Sequence, residues 1–186
     1  MKILDRLPLL PVSQSIRFGQ RNVRFHRDSM VVWLSVSLRG EESHQRISAP
    51  FPALLDSGNN STFYLHEHHL VHWAGFQRAM LGPLGIRRIA GTNIPFHQAE
   101  VWVHPNTPGT HERDQSRSPF RLEFKHGIAI GPPAPDQSIF PRLPLLGFSA
   151  LRENDLDFWF DSRMGQFSVR TGDWRSRLIR LLYRFF

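Results

Sequence analysis

The sequence contains no cysteine among its 186 residues. Without a thiol, the chain has no disulfide framework, no thiol nucleophile and no thiolate metal site. A chain free of cysteine is typical of a cytoplasmic protein, and we expect that location. Any catalytic group or metal ligand must therefore come from another residue type.

Long hydrophobic runs are also missing from the chain. No apolar stretch approaches the roughly 20 residues that are needed to span a bilayer. The short apolar stretch at the N-terminus is interrupted by Asp5, Arg6 and two prolines. We therefore expect neither a membrane-spanning helix nor a signal peptide.

The chain lacks a block of basic residues, although its formal net charge is +7. The arginines are scattered and match no signature of nucleic-acid binding, so we interpret them as solvated surface and expect no nucleic-acid partner. The exception is the segment 171–186, where arginines alternate with apolar residues and predict a basic amphipathic helix. We expect this helix to pack on the protein or on a dimer interface rather than on a membrane.

The patterns that are present are mainly those of β-strands. Hydrophobic residues make up 40% of the chain, which is enough for one globular domain with a sizeable core. Residues 32–38 alternate at period two, 120–131 read as one strand, and 156–170 read as a hairpin with its turn at 161–165. Short helices are predicted at 65–75 and after Gly147. Many short strands at close spacing predict a mainly β barrel or sandwich.

The polar segment 105–119 contains three prolines and joins two predicted strands. Long polar connections of this kind are typical of mobile or disordered loops, and we expect this loop to be one of them. In the strand before it, Trp102 alternates with Val101 and Val103. We therefore expect Trp102 to face away from the core and to be exposed.

Two motifs carry the chemistry. The first is an apolar strand that ends in Asp56, Ser57 and Gly58, within the sequence PFPALLDSGNNSTFYL at 50–65. Asp-Ser-Gly alone is also a common turn. The second motif, LPLLGFSAL at 143–151, follows about 90 residues later and predicts an apolar strand, a glycine and a short helix.

Together these motifs resemble the single-domain aspartic proteases of the retropepsin-like, retroviral type. The resemblance covers residues 28–170. Residues 1–27, as an N-terminal extension with the first strands, and the C-terminal helix 171–186 lie outside it. It implies a closed or partly open β-barrel of the retropepsin type. In that fold, Leu146 and Gly147 pack against the strand that carries the catalytic loop, and the helix after the glycine closes an interlocked, ψ-shaped core.

The resemblance also implies a mechanism. Asp56 would be one carboxylate of a dyad that activates a water and hydrolyses a polypeptide without a cofactor. Because the chain has one Asp-Ser-Gly, the second carboxylate must come from another copy in a symmetric homodimer. The Ser57 hydroxyl would bond to backbone across the two-fold axis, and Gly58 would offer its N–H to the carboxylate.

A glycine-bearing hairpin that covers the substrate, the flap, is the third element that the resemblance implies. The candidate is GIRRIAGTNIPF, with the flap residues at its tip being Ile89, Ala90, Gly91 and Thr92. Trp102 would then be exposed near this flap.

Asn59 departs from the family pattern, which usually has alanine after the glycine. We expect its amide either to donate to the Asp56 carboxylate and lower the pKa, or to narrow the first substrate pocket. This keeps open an alternative in which the protein retains the fold as a binding or scaffold module without catalysis.

The histidine-rich stretch at 66–72 offers a third interpretation, a metal-binding β-barrel. His68 and His72 are four residues apart, which is a good spacing for zinc ligands on a helix. His69 and His72 are a second usable pair. Leu70 occupies the position of the second histidine of a His-Glu-x-x-His site, and nothing in the sequence fixes a third ligand. We favour a polar helix face and expect no metal.

Overall fold

The chain folds mainly into β-strands with a few short helices. The computed structural model describes residues 1–18, 21–40, 47–59, 61–89, 91–132 and 143–172. Most of the predicted C-terminal helix, from 173 onward, and Ala90 of the predicted flap lie outside these ranges. The elements are β1 (Lys2–Pro8), β2 (Gln14–Phe18), β3 (Arg21–Phe25), β4 (Val31–Ser37), β5 (Phe51–Asp56), β6 (Phe63–His66), α1 (Glu67–His72), a 3-10 helix (Arg78–Met80), β7 (Pro83–Ile89), β8 (Thr92–His97), β9 (Glu100–Val103), β10 (Phe120–Leu122), β11 (Ile128–Gly131), β12 (Leu145–Gly147), α2 (Phe148–Glu153), β13 (Leu156–Asp161) and β14 (Gln166–Thr171).

The strands form one large sheet, one small sheet and one hairpin. The large sheet has the order β10-β9-β4-β5-β12-β6-β11-β8-β7, the small sheet has the order β1-β14-β13, and β2 pairs with β3. The mainly β prediction and the predicted hairpin at 156–170 are confirmed. Because β10 and β7 end the large sheet without pairing with each other, the described strands do not close into a barrel.

The main core lies on one face of the large sheet. Alternate residues of β5, namely Phe51, Ala53 and Leu55, are buried in it. The N-terminal strand β1 adds Ile3 and other apolar residues to the same core and pairs with β14. Full burial of a leucine, isoleucine or phenylalanine side chain contributes about 1.5–3 kcal/mol to stability. Residues 1–27 are thus integrated with the domain that the resemblance covers.

The opposite face of β4 and β9 is buried too, so the prediction of an exposed Trp102 is wrong. Trp102 is only 5% exposed, and its indole Nε1 donates to Ser37 Oγ at 2.9 Å. The loop 105–119 reaches this face, where Trp33 Nε1 donates to the carbonyl oxygen of His111 at 3.1 Å. Alternation correctly predicted which face Trp102 is on, but no local pattern indicates that a loop covers that face.

Asn106 gives the loop 105–119 a fixed internal structure, in contrast to the mobility expected from its composition. The side chain is 2% exposed, and its Oδ1 accepts the Asp5 N–H at 2.9 Å. Its Nδ2 donates to the carbonyl oxygens of Asp5, Thr107 and Thr110, each at 3.0 Å. One buried amide thus ties the loop to β1.

The predicted strand 120–131 is two strands, so that prediction is wrong. β10 pairs with β9 at one edge of the sheet, whereas β11 lies between β6 and β8. The chain turns between them, with the Gly127 N–H donating to the Phe124 carbonyl at 3.2 Å. Gly127 has a φ of +69°, a conformation that a residue with a side chain adopts at a cost.

Acidification is expected to destabilise the fold through His104. Burial, and to a smaller extent the nearby Arg113 guanidinium, lowers the pKa of His104 from 6.5 to about 4. Between these pH values the unfolded chain binds a proton that the folded chain excludes, so stability falls as the pH falls from 6.5 towards 4. Urea denaturation across this window should show that slope, and His104→Gln should reduce it, leaving the smaller part that comes from His111, whose pKa burial also lowers.

His26→Gln is the matched control, because His26 is exposed in a turn after β3. This variant should keep the wild-type dependence of the urea midpoint on pH. If His104→Gln also keeps it, burial of a neutral His104 does not contribute to the acid sensitivity.

Candidate active site

Asp56 lies at the end of β5, where three strands interlock. β12 lies between β5 and β6, parallel to the first and antiparallel to the second. In this register Gly147 is opposite Asp56, and Leu145 is opposite both Leu54 and Tyr64. Because β5 and β6 are consecutive in the sequence, the loop that joins them crosses the end of β12.

Gly147 is positioned directly beneath this loop. A Cβ atom at this position would lie 2.2 Å from the Ser61 carbonyl oxygen and 2.7 Å from that of Asn59, closer than real Cβ contacts allow. The Gly147 N–H donates to the Thr62 carbonyl at 2.9 Å, and the Ser149 hydroxyl donates to the Ser61 carbonyl at 3.1 Å. The close approach requires a glycine.

The Asp56 carboxylate is half-buried and held by its own loop. Its Oδ1 accepts the Gly58 N–H at 2.9 Å, as the resemblance implies for that glycine. On β5, Leu54 and Asp56 point to the face of the strand opposite to that of Leu55. Ser57 and Gly58 are exposed. The site therefore presents an oriented carboxylate and a neighbouring hydroxyl to whatever binds on this side.

Asn59 is turned into the loop, so the first of the two expectations for its amide, donation to the Asp56 carboxylate, is wrong. Its Oδ1 accepts the Ser61 N–H at 3.1 Å and the Ser61 hydroxyl at 2.8 Å. Its Nδ2 donates to the Leu145 carbonyl at 3.4 Å. Asparagine commonly stabilises a tight turn by bonding to backbone two residues on, and Asn59 does so here.

A second apolar cluster lies on the same side of the sheet as Asp56. Sequence analysis missed this cluster, although the period-two spacing of Leu54 and Asp56 was a signal that both share a face. Burial raises the pKa of the Tyr64 hydroxyl to about 12, so this group is neutral at any pH at which the site would work. The buried members are Tyr64, Ile94, Phe96, Ala129 and Leu145, with Leu54 and Ile89 half-buried against them.

The predicted flap is a hairpin of β7 and β8. Ile89 pairs with Thr92, and Gly91 lies at the tip. β7 forms an edge of the large sheet, five strands from β5 in the sheet order, so the hairpin does not pair with the Asp56 strand. Ile89 nevertheless packs on the same cluster as Leu54, which places the hairpin and the end of β5 on one face.

The histidines of the 66–72 stretch have structural contacts. His66 and His69 are buried, and the His66 N–H donates to His69 Nδ1 at 3.2 Å at the start of α1. His66 Nδ1 donates to the Pro132 carbonyl at 2.9 Å. Among the described residues, no group of three or more histidine or acidic side chains is arranged to hold a metal ion. The predicted helix at this stretch is confirmed.

Comparison of the chain with protein-family models, curated proteins and solved structures found no match. None of the helices in the described ranges is long and apolar enough to cross a membrane. Support for a function therefore comes from the geometry and chemistry of the site.

Replacing Gly147 by alanine should destabilise the protein. The added methyl group would collide with two backbone oxygens of the Asp56 loop, and overpacking of this kind typically costs about 1–3 kcal/mol. The free energy of unfolding, measured by urea denaturation with tryptophan fluorescence, should fall by that amount.

Gly58→Ala is the control within the same loop. A Cβ at Gly58 would lie 3.4 Å from Asp56 Oδ1, an ordinary contact, and should change the stability by less than about 0.5 kcal/mol. Equal stability of the two variants would mean that the loop does not cross Gly147 as described.

Proposed function

We propose that the protein is a retropepsin-like aspartic endopeptidase. The observation that carries this proposal is the interlocking of β5, β12 and β6. Gly147 lies beneath the loop that joins β5 to β6, and Asp56 is the residue at which that loop begins. The resemblance implies this arrangement from two short motifs that are about 90 residues apart. A turn that happened to contain Asp-Ser-Gly would not require a distant glycine strand to pass beneath it.

The proposed nucleophile is a water held between two Asp56 carboxylates, one from each subunit. Two carboxylates about 3 Å apart cannot both ionise, so they share one proton. The ionised carboxylate accepts a proton as the water oxygen bonds to the peptide carbonyl carbon, while the protonated one donates to the carbonyl oxygen. Collapse of the tetrahedral intermediate breaks the C–N bond, the amine leaves with the proton taken from the water, and one hydroxyl returns its proton to the other carboxylate as the carbonyl re-forms.

The need for a homodimer follows from the composition of the site. One chain supplies one Asp-Ser-Gly, and a two-fold axis beside Asp56 would supply the second carboxylate. The exposure of Ser57 and Gly58 supports this arrangement, because both are accessible to another copy. The Gly58 N–H would hold each carboxylate in place at the axis.

The position of Asn59 favours catalysis over the alternative of a non-catalytic module. One argument for that alternative was an Asn59 amide that donates to the Asp56 carboxylate. In the described loop, the Asn59 side chain instead bonds to Ser61 and Leu145, as an element that shapes the loop. The Asp56 carboxylate accepts a hydrogen bond from the Gly58 N–H and none from the Asn59 amide.

Peptide cleavage by wild type and by Asp56→Asn tests the proposal. A mixed peptide library between pH 4 and 7 should be cut by wild type. Removal of the ionisable group should reduce the rate by a factor of about a hundred to ten thousand, the usual contribution of acid–base catalysis. Specific activity should also fall on serial dilution, because dissociation separates the two carboxylates.

Asp28→Asn is the matched control for the loss of one carboxylate. Asp28 is exposed in a turn with a φ of +60°, which asparagine also tolerates, so both fold and activity should be retained. If wild type cuts no peptide at any pH or concentration, the proposed activity is refuted and the non-catalytic module remains. If the specific activity of wild type does not change on dilution, the shared site is refuted.

A further inference from the structure

A small basic cavity lies at the base of the β7–β8 hairpin. Its volume is about 150 Å³. Arg87, Lys125 and His126 contribute basic groups to its wall, and Leu84 and Phe96 contribute apolar surface. None of its described lining residues is an aspartate or glutamate. A cavity of this size and charge suits a single anionic group such as a carboxylate.

The Arg87 guanidinium is held over an aromatic ring. Its central carbon lies 5.2 Å from the centroid of the Phe96 ring. Stacking of this kind orients the planar group while leaving its N–H donors free to bind an anion at the edge. Arg87 is exposed, and within the described ranges no carboxylate forms an ion pair with it.

Two carboxylates line a neighbouring cavity, and both lie close to a cation. This second cavity, of about 350 Å³, shares Leu84 and Lys125 with the first and contains Glu100 and Glu123. Arg121 lies 3.6 Å from Glu100 and 2.9 Å from Glu123. These two acids are therefore partly neutralised by Arg121, and the cavity beside Arg87 keeps its positive charge.

A continuous face of the sheet joins this cavity to Asp56. Cross-strand pairs run from Phe96 through Ala129, Tyr64 and Leu145 to Leu54. Asp56 follows two residues after Leu54 and shares its face. Five strand spacings separate β7 from β5, which is about 24 Å across the strands and about the span of seven extended residues. One extended peptide can reach both ends.

We propose that the basic cavity of Arg87, Lys125 and His126 binds the carboxylate of an aspartate or glutamate in an extended peptide. As a part of the proposed protease, and resting on that function, the cavity selects substrates with an acidic residue within about seven positions of the cleaved bond. Apolar substrate residues between the two ends contact the half-buried Leu54 and Ile89.

A peptide fits these observations better than a nucleic acid. Nucleic-acid binding uses a run of basic groups that follows a chain of phosphates. Here, one basic cavity adjoins an apolar cluster that contains Phe96 and ends at the carboxylate of Asp56. A negatively charged backbone would be repelled by Asp56, whereas a mostly apolar peptide with one acidic side chain would not.

Peptide binding to the Asp56→Asn protein tests the proposal without cleavage. Fluorescent apolar heptapeptides carrying one glutamate, moved along the sequence, would be compared with matched glutamine peptides by fluorescence anisotropy. At one register, glutamate should bind about tenfold or more tightly than glutamine, and the difference should shrink as salt is raised. Arg87→Glu in the same protein should remove this preference, because the new carboxylate repels the glutamate and offsets the charge of Lys125.

Arg163→Glu is the matched charge reversal. Arg163 is exposed in the turn between β13 and β14, in the small sheet and outside the β7–β8 hairpin. This variant should keep the preference for glutamate. Equal effects of the two reversals, equal affinity for glutamate and glutamine at every register, or no peptide binding at all would overturn the proposal. Single-stranded DNA that displaces the peptide only from proteins with Arg87 intact would also overturn it.

Cleavage of the same peptides by the protein with Asp56 intact separates this proposal from the proposed activity. Cleavage without a preference for acidic residues would refute the cavity and leave the protease. Acid-selective binding without cleavage would leave the cavity and refute the protease.

Discussion

The close crossing of one loop over one glycine is the constraint on which the candidate site depends. β12 can pass between β5 and β6 only if nothing projects from its end, and Gly147 meets that condition. The crossing fixes the 57–62 loop through bonds to Thr62 and Ser61. Asp56 is the last residue of β5 before this loop and pairs with Gly147, so the position of Asp56 is set by the sheet rather than by a flexible turn.

The two faces of the large sheet are buried in different ways. One face packs into the main core with β1 and β14, whereas the other carries separate features along its length. At the β4–β9 end, Trp102 and the 105–119 loop cover it. Nearer β7, the second apolar cluster and the basic cavity follow. Asp56 lies between these regions, at the end of a central strand.

Local patterns in the sequence predicted local structure well and long-range structure poorly. The strand before Asp56 and the glycine before α2 could be recognised because each depends on neighbouring residues. The burial of Trp102 depends on a loop that is folded by Asn106, and no periodicity reports such a contact. Asn59 was misread for a related reason: its partners, a carbonyl of β12 and a serine of its own loop, become apparent only when the strands interlock.

The most direct measurement of the central claim is disulfide trapping through position 57. The chain has no cysteine, so Ser57→Cys introduces a single thiol. A disulfide requires two Cα atoms within about 7 Å, which is met only if the two loops face each other across a two-fold axis. Mild oxidation should convert Ser57→Cys to a covalent dimer, while Asp28→Cys stays monomeric. A Ser57→Cys protein that folds but remains monomeric at every concentration would contradict a shared Asp56 site.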